Sequence, residues 1–139
     1  MKTIVNLAAV AVFLVAAPGP CFALWGIAPV SKETAKELGM EVRSQAAGPN
    51  DVRVELEFKP EGGLKNFSQV ELRVGEGDDS LVTAPLREDR SKPGRVVVSF
   101  TADRTRLDKI KLWVMVPEVL GGTVYELRVK DFVEPEKDR

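Results

Sequence analysis

Along most of this chain apolar and polar residues alternate with a period of two. The clearest stretch is Val52-Arg53-Val54-Glu55-Leu56-Glu57-Phe58, where valines, leucine and phenylalanine point one way and charges the other. That is the signature of a half-buried antiparallel strand. The same alternation recurs in Val70–Val74, Ile110–Val116 and Tyr125–Lys130. Ser80–Leu86 and Arg95–Thr101 are less regular, and the run Val96-Val97-Val98 predicts a strand covered on both faces. Met40–Ala46 makes a seventh. Between these segments lie Gly48-Pro49-Asn50-Asp51, Pro60-Glu61-Gly62-Gly63, Gly75–Asp79, Ser91-Lys92-Pro93-Gly94 and Gly121-Gly122, all turn vocabulary.

Seven short strands at this spacing predict an all-β fold, an immunoglobulin-like or fibronectin-type antiparallel sandwich. A small closed β-barrel gives the same alternation. The connections Lys59–Asn66 and Ala102–Leu107 exceed hairpin length and can carry the chain between sheets, with Leu64, Phe67 and Leu107 plugging the ends of the core.

Only the N-terminal part departs from period two. Leu24–Val30 is apolar but broken by Gly26 and Pro29, which predicts an extended arm lying on the domain or, alternatively, a sticky segment for a partner. Ser31 then caps one short helix, Lys32–Leu38, and Gly39 supplies its left-handed stop. Ahead of the arm, Lys2, an apolar run from Ile4 to Ala17, Pro18-Gly19-Pro20 and Ala23 assemble the parts of a secretory signal peptide cleaved before Leu24. The run stops short of the roughly 20 apolar residues of a bilayer-spanning helix, so no transmembrane anchor is expected after cleavage. Acylation at Cys21 is the alternative, against which Pro20 stands. The organisation is thus a signal peptide over 1–23, arm and helix over 24–39, a sandwich over 40–133 and a charged tail over 134–139. The domain is expected to be exported, to a periplasm or beyond the cell.

Composition then narrows the chemistry. Twenty basic residues balance 21 acidic ones and the two signs are interleaved, which argues against nucleic acid or an anionic membrane as the main partner. There is no histidine, and the single cysteine, Cys21, leaves with the signal. The usual general base, metal ligand, thiol nucleophile and disulfide are therefore missing. Met40 and Met115 are too few soft ligands for copper. Neither a cofactor nor an enzymatic activity is expected. The loop acids Glu61, Asp78, Asp79, Glu88, Asp89, Asp103 and Asp108 form no pair in a visibly apolar setting. Glu76, Asp78 and Asp79 are weak calcium candidates; their loop lacks the spacing of an EF-hand, and a solvated hairpin turn accounts for it more simply.

One strand breaks the inside/outside rule. On Ile110–Val116, Trp113 and Met115 fall opposite Ile110, Leu112, Val114 and Val116. Either the second face is covered, by the helix or the arm, or these two residues and Trp25 form an apolar binding surface. At Glu55–Lys59, Val70–Arg73 and Leu127–Val133 the chain resembles a group of small exported bacterial proteins. The resemblance implies export and a shared domain, and it carries over no activity and no site residue. The expected function is a non-enzymatic exported module that binds another envelope or extracellular protein or helps build a surface layer. A carbohydrate- or small-ligand-binding module is the alternative, weakened by a content of only six Phe, two Trp and one Tyr.

Overall fold

A computed structural model describes residues 24–75 and 82–135. Its elements are β1 (Trp25–Pro29), α1 (Lys32–Glu37), β2 (Glu41–Ala46), β3 (Asp51–Phe58), β4 (Gln69–Val74), β5 (Val82–Pro85), β6 (Val96–Asp103), β7 (Ile110–Glu118), β8 (Gly121–Arg128) and α2 (Val129–Phe132). Strands make up 51% of the described residues. One sheet has the order β1-β8-β7-β4-β5 and the other β2-β3-β6. Each of the seven alternating segments forms a strand. The barrel alternative is corrected, because neither sheet closes on itself.

Strand β3 illustrates how the alternation builds the core. Val52, Val54, Leu56 and Phe58 are at most 1% exposed and join Val96, Val98, Val70, Leu112, Val114 and Leu127 in one apolar cluster. Fully burying such a side chain contributes about 1.5–3 kcal/mol. Short 310 turns at Gly62–Leu64 and Arg104–Lys109 carry the chain from the three-stranded to the five-stranded sheet. They set Leu64 and Leu107 into the ends of the core at 0% and 8% exposure, and Phe67 meets Phe58 edge-on at 4.9 Å.

Helix α1 begins where the sequence places it. The Ser31 hydroxyl accepts from the Thr34 amide at 3.1 Å and Gly39 takes φ 71°. Two turns are marginal alone, so the helix stands by burying Ala35 while Val30 and Met40 anchor its flanks. It connects β1, at the edge of one sheet, to β2, at the edge of the other.

Several features depart from the sequence reading. The arm is an eighth strand, and β1 runs parallel to β8, so the sandwich is not wholly antiparallel. Gly26 and Pro29 do not prevent this, because β1 is an edge strand and edges tolerate both. The last strand ends at Arg128 rather than Lys130, and a second helix, α2, takes over with Val129 turned into the core at 2% exposure. The turn expected at Gly121-Gly122 lies instead at Val119-Leu120, and the glycines open β8. Val97, expected to be covered, is half-buried. A ladder of two hydrogen bonds to Asp89 (2.8 and 2.9 Å) brings the 86–95 loop against it.

Candidate functional site

The strand that breaks the inside/outside rule lies near the middle of the five-stranded sheet, and its register gathers the unusual residues on one outer face. Trp113 stands opposite Glu126 on β8 and Glu71 on β4; Met115 stands opposite Val124 and Gln69. Parallel pairing of β1 then adds Trp25 beside Gly122, Ile27 beside Val124 and Pro29 beside Glu126. The three residues singled out from the sequence, Trp25, Trp113 and Met115, therefore share one face.

That face has two halves. In the first, Trp113 is half-buried within polar contacts. Its indole N–H donates to Glu126 Oε2 at 2.8 Å, and the Arg73 guanidinium lies 3.6 Å from the ring centroid. Lys111 approaches the other Glu126 oxygen at 3.7 Å. A cation over an indole is worth about 0.5–1 kcal/mol at an exposed site, and here it also covers the ring. Gln69 donates to Glu71 and, weakly, to the Met115 sulfur at 3.5 Å.

The second half is apolar and lies towards β1. Val124 is on the outer face and yet only 2% exposed, between Met115 and Ile27. Trp25 lies on Gly122: a Cβ there would stand 2.7 Å from its ring and would also strike the Val116 carbonyl and the Pro117 backbone. Glycine at this position is what lets the arm dock. Ile27 remains 53% exposed, on a strand whose far edge pairs with no other strand among the described residues.

Other candidates fall out differently. Glu76, Asp78 and Asp79 lie outside the described residues, as do Cys21 and the signal segment 1–23. Among the described residues no group of three His, Cys, Asp or Glu is placed to hold a metal ion, and no helix is long and apolar enough to cross a membrane. Two of the loop acids act within turns. Asp89 accepts from the Ser91 amide and Asp103 from the Thr105 amide, each at 2.8 Å. These bonds hold both carboxyls below the ordinary aspartate value, the reverse of what a general acid needs. Glu88 pairs with Arg90 at 2.8 Å. A cleft of about 630 Å3 at the far end, beside Arg104, Asp108 and Lys130, contains none of the residues singled out from the sequence as binding candidates.

Leu24 and Ile27, 57% and 53% exposed, lie on the arm whose alternative reading is a sticky segment for a partner, whereas sequence reasoning missed two exposed apolar residues, Val119 and Leu120, at 99% and 77% exposure. The signal for the last two was present, since Glu118-Val119-Leu120-Gly121 can be read as a turn, but the glycine pair beside it is the stronger turn mark. No protein-family model, curated protein or solved structure matches the chain.

Proposed function

We propose that this protein is an exported, non-enzymatic module that binds another protein of the cell envelope or extracellular space through the outer β1 side of its five-stranded sheet. The observation carrying the proposal is Ile27. It is a large apolar side chain, 53% exposed, on a strand at the sheet's edge among the described residues, continuous with Trp25, Val124 and Met115. Sheet edges are liabilities that proteins ordinarily blunt with charge, and β1 carries no charged residue. A partner strand added there gains main-chain hydrogen bonds and an apolar face together.

The finer fold reading, a fibronectin-type sandwich, belongs with this proposal. It draws support from the partition of β2–β8, with the first, second and fifth of these strands in one sheet and the others in the second. On that reading β1 is an addition to the common plan, which suits a strand kept for contact. The alternative of a carbohydrate platform has less behind it, because Arg73 covers the Trp113 ring that a sugar would need and Trp25 lies against Gly122.

The test is a photo-crosslinking residue placed at Ile27 in the native cells, with Ser99 on the opposite sheet as control. A defined protein should be captured from position 27 alone, and Ile27→Asp should release it without moving the thermal midpoint. Identical captures from both positions would remove the proposal.

A further inference from the structure

Strand β1 turns its main-chain groups alternately towards β8 and away from it. The Val30 N–H donates to the Glu126 carbonyl at 2.8 Å, and the parallel register continues back through Ala28 beside Tyr125 and Gly26 beside Thr123. Gly26 and Ala28 therefore bond towards β8, and Trp25, Ile27 and Pro29 point their main-chain groups to the side where no strand pairs among the described residues. Trp25 and Ile27 each present a donor and an acceptor there. Pro29 has no N–H and ends the usable edge. The edges of the other sheet are managed differently: β2 carries Glu41 and Arg43, and the Asp89 ladder covers β6 at Val97.

Gly26 is the second observation. A glycine inside a strand weakens it, and nothing within the chain asks for this one: its φ is not left-handed, and a Cβ built on it would meet nothing within 4 Å. Gly122, by contrast, is hemmed in on all sides. A close approach by another backbone is what calls for glycine at such a position.

A second copy of the chain supplies that backbone. When two β1 strands run antiparallel with Trp25 opposite the partner's Ile27, every outward N–H of the edge finds a carbonyl and Pro29 falls outside the pair. The same register sets Gly26 against the partner's Gly26 on the two-fold axis, in a non-hydrogen-bonded pair whose Cα atoms come within about 4.5 Å. Centring the pair on Ile27 instead would set Trp25 against the partner's Pro29 and lose bonds. The register about Gly26 also lays the Trp25 side chain of each copy beside the exposed Ile27 of the other, and β1 has no charge with which identical copies would repel.

We propose that two copies of this protein pair their β1 strands antiparallel about Gly26, joining their five-stranded sheets into one. The inference rests on the reading of β1 as the contact strand and adds its resting state. A strand from another protein needs the same Trp25 and Ile27 groups, so self-pairing and partner binding exclude each other.

The experiment uses the protein purified as its native cells process it. Sedimentation from micromolar to millimolar protein should show a monomer–dimer equilibrium. Ile27→Pro removes an N–H turned away from β8 and should abolish the dimer with no change in the strand signal of circular dichroism. A cysteine pair reads the register and decides alone if that variant does not fold. With Cys21→Ser as background, Gly26→Cys should form a disulfide dimer under mild oxidation several-fold faster than Ile27→Cys, which stands diagonal to its own copy at about 7–8 Å, beyond ready bridging. Monomer throughout, a dimer that survives Ile27→Pro, or bridging from position 27 as fast as from position 26 overturns the inference. A monomer that still captures another protein from position 27 in cells ends the self-pairing alone, whereas a dimer that captures only itself ends the partner reading and leaves the self-pairing standing.

Discussion

The two sheets of this domain turn very different outer faces to the surroundings. On the three-stranded sheet that face is Glu41, Arg43 and Gln45, Asp51, Arg53, Glu55 and Glu57, then Val97, Ser99, Thr101 and Asp103. It is almost wholly polar, and its charges are answered by one another: Arg43 reaches Glu41 at 2.9 Å, Glu55 at 3.6 Å and Glu57 at 3.4 Å. On the five-stranded sheet the corner at β1 is apolar, and polar contacts gather around Trp113. The first face is satisfied largely by its own side chains. The second is stabilised in part by the docked arm and still leaves Ile27 uncovered. The same sandwich thus separates a surface made for solvent from one with unspent apolar area.

If that contrast is right, equally small changes should cost very different amounts on the two faces. Gly122→Ala is expected to have the largest effect, about 3 kcal/mol in urea unfolding, because the added methyl meets the Val116 carbonyl, the Pro117 backbone and Trp25 together. It should also free the arm, seen as early proteolysis near β1. Thr101→Val, at an exposed position on the other face, should stay within about 0.5 kcal/mol. Equal effects would erase the distinction.

Trp113 separates apolar from polar contributions on its own face. Trp113→Ala should cost about 2 kcal/mol, less than a fully buried Trp, since the side chain is only partly buried. Trp113→Phe keeps a ring for Arg73 but loses the 2.8 Å hydrogen bond to Glu126, and about 1 kcal/mol is expected. If the two variants were equally destabilised, the indole N–H would account for the whole effect and the ring for none of it.

Much of this was legible in the sequence, for a reason visible in β3. A period of two places Val52, Val54, Leu56 and Phe58 on one side whatever their partners, so strand identity and inner face follow from local pattern alone. The cap at Ser31 is equally local. What could not be read depends on neighbours distant in sequence. No pattern in Trp25–Pro29 announces that it pairs in parallel with β8, and whether Trp113 is covered depends on Arg73, forty residues away in sequence and brought beside it only by the pairing of β4 with β7. Glu57 teaches the same lesson from the solvent side. Its alternation puts it correctly on the outer face, yet it is 3% exposed because the loop carrying Lys92 and Arg95 closes over it.

Glu57 also supplies the mildest test of the contrast. Its carboxylate meets Lys92 at 3.0 Å, Arg95 at 3.2 Å and Arg43 at 3.4 Å. The Lys92 hydrogen bond foremost, with the three positive charges, holds its pKa below the ordinary glutamate value of 4.5 against the opposing effect of burial. A depressed folded-state pKa contributes stability that is complete above the unfolded value and is lost as pH falls through the lower, folded one. Urea midpoints should therefore drop on the acid side of that value, and Glu57→Gln should make the acid limb shallower, so that variant and wild type converge at the lowest pH. The limb will not vanish, because Asp89 and Asp103 are depressed as well. At neutral pH the loss should be smaller than for either Trp113 variant. The three cations are 55%, 42% and 49% exposed and regain water, and the glutamine oxygen still accepts from one of them. Raising the salt concentration should narrow the gap further, whereas the Gly122→Ala deficit, being steric, should not move. A salt-insensitive Glu57→Gln would mean that the carboxylate acts by filling space under the loop, and the polar face would then owe its order to packing, as the apolar one does.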